Sequence, residues 1–188
     1  MLATLFAMLL AAPVQLSIAQ GSTIVIEGDS SMHPWKCQAK FDGAGEAGSM
    51  DAAASLTAFE IGIPVKDIRC GSDTMEEKLR DALKAPKFSR IDFSFTSATP
   101  MPAGAKGTLK VIGKIALAGV EKPVTAVVTV ARGPGNAWIA TAAVPLKMTD
   151  FGVEPPTAML GIMKTHDAIT IRVNLKVSAL EAQPHVVN

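Results

Sequence analysis

From Ile169 to Val177 an apolar residue takes every second position, with Thr170, Arg172, Asn174 and Lys176 between them. Successive side chains of a strand point to opposite faces, so this pattern predicts a strand with one buried and one wetted face. The same period recurs along most of the chain. Ile24 and Ile26 alternate with Thr23, Val25 and Glu27, and Trp35, Cys37, Ala39 and Phe41 stand opposite Lys36, Gln38 and Lys40. Phe59, Ile61, Ile63 and Val65 form the next face, where Pro64 marks an edge or a strand end. Ile91, Phe93 and Phe95 follow, then Leu109, Val111, Ile115 and Leu117 against Lys110 and Lys114. Val124 to Val130 and Trp138 to Leu146 complete the series. Turns are expected at Asp42–Gly48, Pro100–Gly104, Gly119–Pro123 and Gly133–Asn136, where Gly and Pro gather.

One segment has another period. Met75, Leu79, Ala82 and Leu83 fall at helical spacing, Pro86 stops the run, and Asp73 or Thr74 caps it with Glu76 or Glu77 three residues on. A helix this short and amphipathic covers an opening in a sheet rather than forming a layer. About eight strands joined by hairpins, each with one apolar face, fit a sandwich or a closed up-and-down barrel. A small barrel is filled by its own side chains or holds one small ligand, and that choice decides the function. Between the last two strands the chain breaks at Asp150, Gly152, Pro155, Pro156 and Gly161, yet keeps Phe151, Met159, Leu160 and Met163. So apolar a loop needs something to cover, which makes it a place to look for function.

At 188 residues and 48% hydrophobic, the chain suits one domain with a sizeable core. A net charge of +1 with scattered Lys and Arg argues against nucleic acid as a partner. The N-terminus is apolar from Leu2 to Ala12, and Ser17-x-Ala19 has the spacing of a signal-peptidase site. The expected plan is a signal peptide at 1–19, a barrel domain at 20–180 and a polar tail at 181–188. The rival reading, a membrane anchor, needs a longer run than one interrupted by Pro13. Export to the periplasm or beyond changes the reading of Cys37 and Cys70. Two cysteines in an oxidising compartment favour a structural disulfide over two buried thiols.

Catalytic candidates are scarce. His33, His166 and His185 lack metal-ligand spacing, no G-x-S-x-G occurs, and no carboxylate pair stands out. Gly43–Gly48 spells G-x-G-x-x-G, but in a hairpin rather than the βαβ unit a dinucleotide site requires. Asp150-Phe151-Gly152 spells a kinase triplet with no other kinase element present. The reading is of a protein that is not an enzyme and carries no metal or cofactor.

Gly28-Asp29-Ser30 through Trp35, MEEKLRDALKAPKFSRIDF, GTLKVIGKIALAGVEKPV, and KMTDFGV followed by THDAITIRVNLKV occur in order with similar gaps. Over roughly residues 22–178 this series resembles the YceI-like family of exported, lipocalin-like proteins. The resemblance implies an all-β fold, an eight-stranded antiparallel lipocalin-like barrel with one short amphipathic helix, enclosing a polyisoprenoid or quinone-like lipid in the periplasm. The uncharged leader and the Cys37–Cys70 pair depart from the family pattern. An isoprenoid has few polar handles, so its site would be an apolar tunnel. Candidate lining residues are Trp35, Phe59, Ile61, Phe93, Phe95, Leu109, Ile115, Leu117, Trp138, Val144, Leu146, Phe151, Met159 and Ile171. Each also suits an ordinary packed core.

The leading expectation is non-enzymatic binding, storage or transport of such a lipid or a similar long-chain amphiphile, with room for transient membrane contact and for an oligomer. The alternative is a side-chain-filled barrel acting as a stress-related protein-interaction module. It predicts a small or absent cavity and an exposed apolar patch near Gly152–Met163. A third option, an enzyme acting on bound lipid, has only His33 as a candidate group.

Overall fold

Strand pairs with its chain neighbour almost throughout the computed structural model, always antiparallel. The structure describes residues 13–40, 45–51, 55–101, 107–135 and 137–180. The strands are β1 (Val14–Ile18), β2 (Thr23–Ser30), β3 (Trp35–Lys40), β4 (Gly45–Met50), β5 (Leu56–Pro64), β6 (Ile68–Arg69), β7 (Arg90–Pro100), β8 (Thr108–Leu117), β9 (Val120–Arg132), β10 (Ala137–Lys147), β11 (Thr157–Ala158) and β12 (Met163–Ala179). The one α-helix among the described residues, α1, spans Asp73–Ala82.

Three pairs of strands are the two halves of bent staves. β1 and β2 lie end to end on one edge of β12, with Ile18 opposite Val177 and Thr23 opposite Asn174. Buried Ser22 mends the ladder at the bend. Its hydroxyl accepts from the Lys176 N–H at 2.9 Å and donates to the Ala19 carbonyl at 2.8 Å. β4 pairs with β1 and β3 with β2; β5 then pairs with β4 and β6 with β3. Counted this way, eight staves run in order from β1/β2 through β10 to β12, which returns to β1 and closes the ring. The expected eight-stranded antiparallel barrel is the observed fold, and among the described residues its ring is unpaired at one place, between β6 and β7.

A strand, β1, lies before residue 20. β1 supplies Leu16 and Ile18 to the core at 3% and 5% exposure, so a cut after Ala19 would remove half a stave. Val14, Leu16 and Ile18 alternate with Gln15 and Ser17, which is strand spacing as much as leader spacing. Two turn expectations also shift. Gly45–Gly48 lies in β4, and Val120–Pro123 in β9. The turn before β9 is the pair Ala118-Gly119, with φ of 49° and 84°. That mirror-image geometry matches strand twist and favours Gly at the second place. The expected leader up to residue 12 and the tail at 181–188 lie outside the described residues.

The wall has one seam. β5 follows β7 as far as Pro64 opposite Arg90, and the chain then veers so that β6 pairs with β3. No pairing joins β6 to β7, and α1 is the segment between them. Its cap is Ser72, one residue before the expected candidates, whose hydroxyl accepts from the Met75 N–H. The Glu76 carboxylate reaches back to the Cys70 N–H at 3.2 Å and pairs with Arg69 and Arg80. Met75, Leu79, Ala82 and Leu83 turn inward, so the helix covers the seam. The Cys37–Cys70 disulfide is formed and fixes its approach to β3.

Candidate functional site

Interior residues fall into two packed groups. One gathers Leu16, Ile18, Ile24, Ala39, Ile63, Leu175 and Val177 toward the β1 end, with the disulfide. The other gathers Val65, Leu83, Ile115, Leu117, Met148, Phe151 and Val153. A cavity of about 330 Å³ opens at the helix-covered end. Strand residues Ile26, Trp35, Cys37, Ile91, Ile115, Leu117, Leu146, Ile169 and Ile171 form its wall, and Met75, Leu79, Ala82 and Leu83 of α1 close the seam side. Met148, Val153 and Pro156 from the segment between β10 and β12, with Met163 at the start of β12, complete it. Seven polar residues border the same space: Ser30, His33, Ser72, Thr74, Lys78, Thr157 and Thr165. Four of these, His33, Ser72, Thr74 and Thr157, are solvent-exposed and mark the mouth.

Local hydrogen bonds hold the mouth in shape. The Ser30 hydroxyl accepts from the His33 N–H and donates to the His33 carbonyl, folding the β2–β3 connection. On the opposite side the Lys78 ammonium donates to the Thr157 carbonyl at 3.0 Å, tying α1 to β11. Asp167 accepts from the Thr149 N–H at 2.9 Å and from its hydroxyl at 2.8 Å, anchoring the turn Met148–Phe151 to β12. These bonds, the N–H first, draw the Asp167 carboxyl below its ordinary pKa. Trp35 lies flat against Gly28, where any Cβ would collide with the indole, and its Nε1 donates to the Asp29 carbonyl at 3.2 Å.

Of the residues expected to line a tunnel, Trp35, Ile115, Leu117, Leu146 and Ile171 border the cavity. Phe59 and Ile61 do not; they pack against the β1-end core, because β5 carries its inward face toward that end. Phe93 and Phe151 join the second packed group instead, the latter 2% exposed beneath the mouth segment. Val144 is buried on β10 opposite Ile171 and is not among the residues that border the cavity. Phe95 and Leu109 are half-buried further along β7 and β8, and Trp138 stacks under the Arg132 guanidinium at 3.6 Å. The Met159 side chain lies outside the described residues. Strand alternation alone missed the helix wall, Met148 and Val153, whereas Met163 belongs to the apolar loop that the sequence marked as a place to look. The helical spacing of Met75, Leu79, Ala82 and Leu83 was the signal that pointed to that wall.

The tip beyond β11 is apolar and unprotected. Leu160 is fully exposed with φ of 57°, an uncommon conformation for a bulky residue, and Ile162 is 74% exposed. Met32, 59% exposed, follows Ser31, whose hydroxyl donates to the Ile162 carbonyl. A separate open trough of about 910 Å³ runs along the outer wall past Glu27, Asp29, Lys36, Lys147 and Asp150. Trp35, Leu146 and Ile169 partition it from the cavity. Among the described residues no three His, Cys, Asp or Glu side chains gather as a metal site.

The sequence profile of the YceI-like domain matches residues 18–177. The chain belongs to the YceI-like family. Among solved structures, Burkholderia cenocepacia BcnA is similar at 22% identity, covering 84% of this chain and 96% of that one, with a TM-score of 0.67. A polyisoprenoid binding domain from Saccharophagus degradans is 14% identical, covers 89% and 99%, and gives 0.63. The Campylobacter jejuni YCEI protein is 16% identical, covers 76% and 84%, and gives 0.61. No curated protein sequence matches the chain. At these identities the structural likeness extends to the fold, which the YceI-like barrel shares almost end to end.

Proposed function

We propose that this YceI-like protein is a non-enzymatic carrier or store for a polyisoprenoid, quinone-type or similar single-chain lipid in the periplasm. The observation that carries the reading is the apolar cavity of about 330 Å³, open at one end and polar at its mouth. Apolar ligand surface gains about 25 cal/mol per Å² on burial, and a site with few fixed polar partners selects by shape. The family and a relative named for polyisoprenoid binding support the lipid class. The disulfide fits an oxidising compartment. Met32, Leu160 and Ile162 beside the mouth supply an apolar surface for brief contact with the membrane that holds such a lipid.

The interaction-module reading keeps one supporting observation, that same exposed tip, while the cavity runs against its filled barrel. Protein purified from its host and extracted with organic solvent is expected to release one lipid per chain by mass spectrometry. A quinone titration should quench Trp35 in a Trp138→Phe variant. An empty barrel that responds to no quinone of any chain length would overturn the carrier reading.

A further inference from the structure

The carrier reading leaves open the size and the polar end of the ligand, and two observations bear on both. The first is volume. A methylene packs into about the space of a water molecule in the liquid, roughly 30 Å³. A cavity of about 330 Å³ therefore encloses about eleven carbon atoms, or two isoprene units and a head-group link. Longer chains would have to trail into solvent.

The second is charge. Lys78 is the one formally charged residue among those bordering the cavity, and no Asp or Glu borders it. The ammonium has three donors and spends one on the Thr157 carbonyl. Among the described residues no carboxylate pairs with it. A half-buried cation without a carboxylate partner, at a mouth that Ser72, Thr74 and Thr157 also border, favours an anion over a second cation or a bare alkyl end.

Building on the carrier reading, we propose that the mouth at Lys78 binds the anionic head, carboxylate or phosphate, of an amphiphile whose enclosed tail is about eleven carbons long. The tail fills the space between α1 and the barrel wall, and the head replaces water at the two remaining Lys78 donors.

The test is a Trp35 fluorescence titration of the full, oxidised chain with saturated fatty acids of eight to eighteen carbons and the matching alcohols. Geranyl and farnesyl phosphates and their alcohols form a second arm. Affinity is expected to rise about fourfold per methylene and to flatten near twelve carbons. Acids, phosphates or both should bind at least tenfold tighter than their alcohols, and the arm with the gap identifies the source of the head. Lys78→Met, which keeps the apolar stem but loses the tie to Thr157, should erase the gap, so that acids, phosphates and alcohols measured on the same variant bind alike. Lys78→Gln provides the same comparison if the first variant unfolds. Alcohols that match acids in the parent, a gap that survives both variants, or affinity still climbing at eighteen carbons would overturn the proposal and leave the carrier reading standing. Binding of no amphiphile at all would overturn both.

Discussion

Reduction of Cys37–Cys70 should loosen the mouth of the barrel before it unfolds the whole. The bond closes a loop of 33 positions. In the chain-entropy account such a link removes about 2.1 + 1.5R ln n cal/mol/K from the unfolded state. For this loop of 33 that amounts to about 3.7 kcal/mol at 25 °C. In a chain of this size each kcal/mol moves the melting temperature by about 2–4 °C, so reduction is expected to lower it by roughly 7–15 °C. The loss should not be uniform. Cys70 stands three positions before α1, and apart from the bond only the two-residue β6 ties that approach to β3. Hydrogen exchange should therefore rise most over 70–83, while β8, β9 and β10 keep their protection. The assay is thermal unfolding of oxidised and reduced protein, with a Cys37→Ala/Cys70→Ala variant as a control, followed by exchange mass spectrometry. A melting temperature unchanged within about 2 °C, or exchange that rises evenly around the barrel, would refute the reasoning.

Four further outcomes are expected. A chain starting at Gln20 lacks β1 and the burial of Leu16 and Ile18, each contributing about 1.5–3 kcal/mol, so chemical denaturation should place it well below the full chain or find it unfolded. Gly28→Ala sets a methyl group against the Trp35 indole; an overpacking cost of about 1–3 kcal/mol and a shifted Trp35 emission should follow, and unchanged emission would show that the ring does not rest there. Because Asp167 has a folded pKa below its unfolded value, its contribution is present above the unfolded value and is lost as pH falls through the folded one. Asp167→Asn should thus flatten the acid limb of the stability curve below about pH 4, and parallel curves for the two proteins would contradict this. Finally, Met32→Ser, Leu160→Ser and Ile162→Ser together should reduce sedimentation with lipid vesicles and leave the melting temperature unchanged, because all three side chains are exposed.

Much of the barrel was legible from period alone. Leu175 and Val177 are buried while Asn174 and Lys176 are exposed, as alternation on β12 required. Alternation states which face a side chain takes, not how far along the axis it sits, so Ile61 and Ile171 read alike in sequence. Both pack against the β1-end core, but Ile171 alone of the two also reaches the second group and borders the cavity. β1 was hidden for a different reason: its alternation runs into an apolar stretch, and Ser17-x-Ala19, which has peptidase spacing, also lies where Ser17 is buried at the end of a strand. The helix was legible as a cover. That its inner face would form a cavity wall, with Lys78 at the rim, depends on the seam between β6 and β7, which no local pattern encodes.

β12 touches β10 along one edge and both β1 and β2 along the other, and it comes last in sequence among the described strands. Until residues 163–179 arrive, the preceding staves form an open curl with two bare edges and an uncovered apolar lining. Closure joins β12 to β1 and β2, so it is a contact of very long sequence separation and belongs late in folding. A chain with β12 still undocked has no enclosed interior and presents its sticky face to every neighbour. Docking of β12, rather than any local folding step, is thus the moment at which this protein acquires an inside.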